Sequence, residues 1–268
     1  MFQFPQLDPV AIDFGFLQIR WYGISYVAGL LTGWWLLHQR ARHQPLLGWT
    51  TVQVSDLIFY GTVGILVGGR LGSVLFYNLP YYLENPLEIL MIQRGGMSFH
   101  GGMIGVIAAL WYYSRKIDQT FFETTDFIVP VAPVGLFFGR IANFINGELW
   151  GTRTDVPWAV IYPTPDGVGI ARHPSQLYEA FLEGIVLFLV LWIYSSRIRP
   201  KMAVSGLFLL GYGTFRTLVE FFRQPDAEIG YLAGDWLTMG MMLSFPMAIA
   251  GIVLLLMAYH RDRIRSEK

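Results

Sequence analysis

The stretch 204–223 reads VSGLFLLGYGTFRTLVEFFR. A helix that crosses a bilayer needs about 20 mostly apolar residues, and this run supplies them. On a helix, Tyr212, Arg216, Glu220 and Arg223 fall at about −40°, 0°, 40° and −20°. The polar groups therefore share one narrow stripe of an otherwise apolar cylinder. Glu220 is within helical reach of both arginines, which lowers the cost of keeping two positive charges there. Six more stretches extend the pattern to seven expected spans: 21–38, 54–78, 97–114, 121–147, 177–195, 204–223 and 236–259. These runs are too long and too continuously apolar for barrel strands. The fourth contains Pro130 and Pro133, so it is expected to kink or to start late. The expected fold class is all-α, a polytopic membrane bundle of seven transmembrane helices.

Composition agrees. Of 268 residues, 54% are hydrophobic and 14% charged, with a mean hydropathy of +0.44. Soluble domains carry about 25% charged residues, so a water-soluble single-core enzyme is excluded. Lys plus Arg is 19 and Asp plus Glu is 19. That leaves no basic excess for nucleic acid. There is no cysteine, hence no disulfide, no thiolate metal site and no catalytic cysteine of the chain's own. The first residues carry Asp8, Asp13, Pro5 and Pro9 and no early basic residue, unlike a cleavable signal peptide.

Loop charges give the direction. Arg40 and Arg42, Arg115 and Lys116, Arg197, Arg199 and Lys201, and Arg261, Arg263, Arg265 and Lys268 all fall on one side. Arg20, Arg94, Arg153, Arg172 and Arg223 fall on the other, matched by acids such as Glu84, Glu88, Asp155, Asp166, Asp226 and Asp235. The N-terminus is expected outside and the C-terminus inside. The longest outer connection, about 148–176, holds Pro157, Pro163, Pro165, Pro174 and the turn Asp166-Gly167. With Trp150, Trp158 and Tyr162 it is expected to form a small cap on the outer face between helices four and five. No internal repeat is visible, and 1–268 is treated as one membrane domain.

Arg70, Arg140 and Arg216 remain inside the spans, each costing about 2.5–3.5 kcal/mol at a bilayer centre. Structural ion pairing would explain them singly. Asn143 and Asn146 could be interhelical glue. Yet Arg140, Asn143 and Gly147 share a helix face, with Asn146 and Glu148 just beyond. Tyr26, His100, Arg140, Asn143, Arg216, Glu220 and the i,i+4 pair Glu179 and Glu183 all come out at one depth, in the outer leaflet. Gly61, Gly64, Gly68 and Gly72 read as a helix-packing stripe. Gly95-Gly96 and Gly101-Gly102 flank Ser98-Phe99-His100, which suggests an irregular helix entry. For Arg70, pairing with a neighbouring helix and contact with a headgroup are both open. Guanidinium forks suit phosphate, and histidine suits general base work near neutral pH. No His-Glu-x-x-His and no Gly-x-Ser-x-Gly occurs, and the five histidines form no convincing metal set. The rival class is a phospholipid transporter or flippase with an outer-leaflet headgroup site. Against it, a transporter would show a repeat and a midplane site.

The run Gly139-Arg140-Ile141-Ala142-Asn143-Phe144-Ile145-Asn146-Gly147-Glu148-Leu149-Trp150-Gly151 resembles the signature of bacterial prolipoprotein diacylglyceryl transferases. Ser98 to Gly102, His173 to Glu179, and Arg216 with Glu220, Phe221 and Arg223 are also similar to segments of that family. The resemblance runs from the first span to the last. It implies a multi-pass enzyme of the bacterial cytoplasmic (inner) membrane. Such an enzyme moves the diacylglyceryl group of phosphatidylglycerol to the lipobox cysteine of a prolipoprotein signal peptide, with no metal or organic cofactor. The nucleophilic thiol then belongs to the substrate, in keeping with the absent cysteine. By the same resemblance Arg140 and Arg216 hold the phosphate as it leaves and His100 is the candidate base. Tyr26, Asn143, Asn146 and Glu148 orient lipid and helix ends, Glu220 and Arg223 hold Arg216, and Gly151 frees the backbone at the cap. Tyr212, on the stripe with Arg216, is taken as a further substrate-site residue.

Overall fold

A computed structural model describes all residues except 6, 16–17, 92–94, 164–168, 226–229 and 267–268. The expected turn at Asp166-Gly167, Pro165, and the loop charges Arg94, Asp226 and Lys268 lie outside the described residues. The chain divides into two compact units, Met1–Leu36 with Asp126–Lys268, and Leu37–Thr125.

The protein is mostly helical. Its α-helices are α1 (Trp21–His43), α2 (Thr51–Phe76), α3 (Leu79–Glu84), α4 (Phe99–Lys116), α5 (Phe121–Ile128), α6 (Ala132–Ile145), α7 (Ser175–Glu179), α8 (Leu187–Tyr194), α9 (Ala203–Glu220) and α10 (Met239–Ser266). Among the described residues four stretches are long and apolar enough to cross a membrane: Thr51–Phe76, Phe121–Ile145, Ser175–Tyr194 and Met239–Ile264. Only 22–39% of an apolar 18-residue window in each is buried inside the protein. Faces carrying Phe59, Leu75, Ile193 and Leu256 are exposed, which suits lipid rather than water. The other three expected spans are helices as well, but more polar: α9 is 18 residues long and carries Arg216 and Glu220.

The prolines act as expected on the fourth stretch. A proline removes a backbone donor and crowds the preceding turn. Here α5 ends at Ile128, a 3₁₀ turn spans Val129–Val131, and α6 restarts at Ala132. The fifth stretch is not a plain α-helix, because Ala180–Val186 between α7 and α8 is π-helical.

In the second unit, Thr50 and Gln53 form a reciprocal cap at the start of α2, and the Ser98 side chain caps α4. The two helices meet backbone to backbone. A Cβ on Gly64 would stand 2.6 Å from the Gly105 carbonyl oxygen, and one on Gly72 2.7 Å from the Gly101 Cα. Gly61 has open space instead, so the packing stripe begins one turn later than the sequence suggests. Gly95 and Gly96 take positive φ of 84° and 79°, whereas Gly101 and Gly102 are helical and buried. Arg70 is buried, and among the described residues no carboxylate pairs with it. Its guanidinium donates to the carbonyls of Glu88, Ile89, Met91, Gly95 and Gly96 and lies over the Tyr82 ring at 5.1 Å. Arg70 is thus a clasp for the irregular segment between α3 and α4.

In the first unit, Leu187, Leu191 and Val204 form a buried cluster with Tyr212 and Phe215 packed against it. Asp126 caps α9 from 76 residues away, accepting from Met202 N at 2.7 Å and from Ser205 N at 2.7 Å. Helices α9 and α10 also touch through glycines: a Cβ on Gly213 would stand 2.8 Å from the Ser244 carbonyl oxygen. The all-α expectation misses short strands. β1 (Phe2–Gln3) pairs in parallel with β4 (Val160–Tyr162), which pairs antiparallel with β5 (Ile170–Arg172). β2 (Val10–Asp13) and β3 (Gln18–Arg20) form a separate antiparallel pair. Strands this short carry little periodic signal for a reader to find.

Candidate active site

Three helical stretches deliver one ionic cluster. Arg140 comes from α6, Glu179 and Glu183 from α7 and the π-helical turn after it, Arg216 and Glu220 from α9, and Arg223 from the turn that follows. Glu179 is the hub. Its Oε2 meets Arg140 Nε at 2.8 Å, and its Oε1 meets Arg216 Nη1 and Arg223 Nη1 at 3.4 Å. Arg216 Nη2 also pairs with Glu220 at 2.9 Å. Glu220 in turn accepts from the Thr238 hydroxyl at 3.0 Å. A Cβ on Gly240 would fall 2.5 Å from the Glu220 carboxylate, so that glycine makes room for it.

Exposure is unequal across the cluster. The side chains of Glu179 and Glu183 have none, while Arg140 keeps 16%, Arg216 11% and Arg223 9%. The carboxylates, with Glu220 at 5%, are the more deeply buried members and the guanidiniums the less buried ones. Buried charges stand only when paired, and this pairing keeps three guanidiniums charged, with Arg140 and Arg216 partly exposed. Tyr212 lies within electrostatic reach of Glu183, Arg216 and Arg140.

The segment after α6 is a built turn. Gly147 and Leu149 take positive φ of 65° and 58°. Glu148 Oε1 accepts from Asn143 Nδ2 at 2.8 Å and from Asn146 Nδ2 at 3.4 Å. Its backbone carbonyl accepts from Gln176 at 2.6 Å, and Gln176 accepts from the buried Tyr162 hydroxyl at 3.2 Å. Burial pushes that phenol up to about 12. Gly151 then donates to the His173 carbonyl at 2.9 Å, and Thr152 to the Phe222 carbonyl at 2.9 Å. This ties the turn to the end of α9 beside Arg223.

A family model described as prolipoprotein diacylglyceryl transferase matches residues 9–257. The chain belongs to the prolipoprotein diacylglyceryl transferase family. Curated relatives agree along nearly the whole length. A phosphatidylglycerol–prolipoprotein diacylglyceryl transferase of Solidesulfovibrio magneticus is 54% identical over 255 residues, covering 95% of this chain and 96% of that one. Another, of Pseudomonas fluorescens, is 51% identical over 267 residues, covering 99% of each.

In this member of the prolipoprotein diacylglyceryl transferase family, the sequence-expected residues fall into groups. Arg140, Arg216 and Arg223 are joined through Glu179, Glu220 pairs directly with Arg216, and Asn143, Asn146 and Glu148 form the adjoining turn. Tyr26 is exposed on α1, its hydroxyl 3.4 Å from that of Tyr22. Tyr22 stands within electrostatic reach of Arg140 and Glu148. His100 lies in the second unit, exposed in the first turn of α4 with its ring edge-on to Phe99. In sequence Glu179 was visible as half of an i,i+4 pair at the outer-leaflet depth and as the end of the His173–Glu179 segment, without an assigned role. Nothing in that pattern marks it as the shared partner of three arginines.

His173 is a further residue the sequence did not single out for a role. Its Nδ1 lies 3.1 Å from the Tyr178 hydroxyl, and its ring is edge-on to Phe222 at 5.2 Å. Burial holds the imidazole below its ordinary range. The fold therefore prefers the neutral ring. Its contribution is complete above the ordinary imidazole pKa and is lost as the pH falls from there through the lowered value of the folded state.

Gly151 has a different job from the one expected, because its φ is not positive. A Cβ there would stand 2.5 Å from the Phe222 carbonyl oxygen and 2.6 Å from His173. Close approach is what demands glycine. Gly151→Ala should displace the Arg223 turn and lower the transfer rate by about a hundredfold. Measured side by side, rate and thermal midpoint would show it, and a normal rate would mean that the turn adapts.

Proposed function

We propose that this protein transfers the diacylglyceryl group of phosphatidylglycerol to the lipobox cysteine of a prolipoprotein, the first step of bacterial lipoprotein maturation. The peptide sulfur attacks the glyceryl carbon that bears the phosphate. A carbon–sulfur bond forms, the carbon–oxygen bond breaks, and its electron pair leaves on glycerol phosphate. The thiol proton goes to a base, for which His100 is the candidate. A thiolate attacking carbon with a phosphate leaving group needs charge stabilisation, and that chemistry calls for no cofactor.

The observation that carries this reading is the unequal burial of the ionic cluster: Arg140 and Arg216 are partly exposed, while the Glu179 and Glu183 carboxylates paired with them are fully buried. In it Arg140 and Arg216 bind the phosphate and hold it as it leaves. Glu220 and Arg223 fix Arg216. Asn143, Asn146, Glu148, Tyr26 and Tyr212 shape the lipid site, and Gly151 keeps the adjoining turn closed. The same reading takes the chain as a single multi-pass domain of the cytoplasmic membrane with seven spans, N-terminus outside and C-terminus inside. It sets segment 148–176 as a cap on the outer face. The basic residues of the inner connections and tail support that orientation.

The test is direct. Purified protein in detergent is given phosphatidylglycerol and a lipobox peptide, beside a Cys→Ala peptide. A diacylglyceryl mass gain on the cysteine peptide alone, with glycerol phosphate released, is expected. Folded protein that binds the lipid yet yields no mass gain would return the site to headgroup binding in a transporter.

A further inference from the structure

The roles above leave Glu183 unused. Its side chain is fully buried, and among the described residues neither carboxylate oxygen has a hydrogen-bond partner. Arg140 Nη2 lies 3.6 Å away and Arg216 Nη1 3.9 Å away, too long for a strong N–H···O bond. Glu179 and Glu220 hold the same two arginines at 2.8 and 2.9 Å. Glu183 rides on the π-helical turn Ala180–Val186, and π turns gather at functional sites. The titratable groups facing it are Arg140 from α6, Glu179 from α7, Tyr212 and Arg216 from α9, and Arg223 beyond α9.

Formal charge frames the problem. Arg140, Arg216 and Arg223 against Glu179, Glu183 and Glu220 balance. A lipid phosphodiester binding at the partly exposed arginines brings one more negative charge and draws the guanidinium forks toward itself. Glu183 has no hydrogen bond to lose and only two long charge contacts. When the arginines turn to the phosphate, it becomes a buried carboxylate with weakened partners, a costly state.

We infer that Glu183 takes up a proton when a lipid phosphodiester binds at Arg140 and Arg216, which makes phosphatidylglycerol binding proton-coupled. This rests on the headgroup reading of those two arginines. One anion and one proton enter together, and the charge of the cluster is unchanged. A phosphodiester stays singly charged across the working pH range, so the proton belongs to the protein. A neutral Glu183 also ceases to compete with the phosphate for the guanidiniums.

Calorimetric titration of the detergent-solubilised protein with phosphatidylglycerol, in two buffers of different ionisation heat, counts the protons. Uptake approaching one per lipid is expected at the alkaline end, where affinity should fall by up to about tenfold per pH unit. Glu183→Gln should still bind lipid, with uptake near zero and a flat pH profile. Infrared difference spectra of the unmodified protein keep the inference testable if that variant fails to fold. A protonated-carboxyl C=O band should appear on lipid binding. Binding without uptake or band, or uptake unchanged in Glu183→Gln, overturns the inference. No binding by the unmodified protein overturns the headgroup reading, and this inference with it.

Discussion

Arg140→Ala lowers the rate of diacylglyceryl transfer by about a thousandfold, the scale set by removing a positioned guanidinium or oxyanion donor from a charged transition state. The reason lies in which atoms of Arg140 are committed. Its Nε is ion-paired with Glu179 at 2.8 Å while the side chain keeps 16% exposure. One edge is anchored and the rest is left for a ligand. Folding should survive, because Glu179 retains Arg216 and Arg223. Arg140→Lys restores the charge but not the planar fork, so it should recover only part of the rate. Single-turnover transfer to a lipobox peptide, with lipid saturating, reads the effect. An Arg140→Ala protein within tenfold of normal would make Arg140 a structural partner of Glu179 and nothing more.

Glu179→Ala acts on stability before it acts on rate. The substitution leaves three buried or nearly buried guanidiniums without their common partner, and breaking a buried ion pair costs about 3–5 kcal/mol. The loss should exceed that of Glu220→Ala, which leaves Arg216 still held by Glu179. Thermal unfolding followed by intrinsic tryptophan fluorescence suits the measurement, since the chain has 9 Trp and no Cys for thiol-reactive dyes. An unchanged midpoint would mean that water or lipid replaces Glu179 at little cost, and that the cluster is looser than its distances state.

Helical periodicity made part of this site legible. The stripe of Tyr212, Arg216, Glu220 and Arg223 needs only a constant turn angle, and the structure has Arg216 and Glu220 paired along one helix. The break at Pro130 and Pro133 was equally readable, because a missing backbone donor acts locally whatever surrounds it. The shared partner of the arginines was not readable. Glu179 meets Arg140, 39 positions earlier, and Arg216, 37 positions later, through tertiary packing that no window of sequence contains. The π-helical turn under Glu183 leaves no trace in an apolar run. Arg70 looked equal to Arg140 and Arg216 because all three are arginines in apolar helices. Its carbonyl clasp comes from an irregular segment without periodicity.

The glycine contact between α2 and α4 has a thermodynamic side. Most helix joints freeze side-chain rotamers, and that lost freedom opposes the fit. Gly64, Gly68 and Gly72 against Gly101 and Gly105 have no rotamers to freeze, and their backbones meet without intervening groups. Such a joint gains dispersion over its whole length at almost no side-chain entropy cost. Lipid chains, which gain disorder on warming, then have no loosened side chain to displace. The α2–α4 pair should accordingly hold one geometry across membranes of different acyl composition, a fixed frame for the irregular segment that Arg70 clasps.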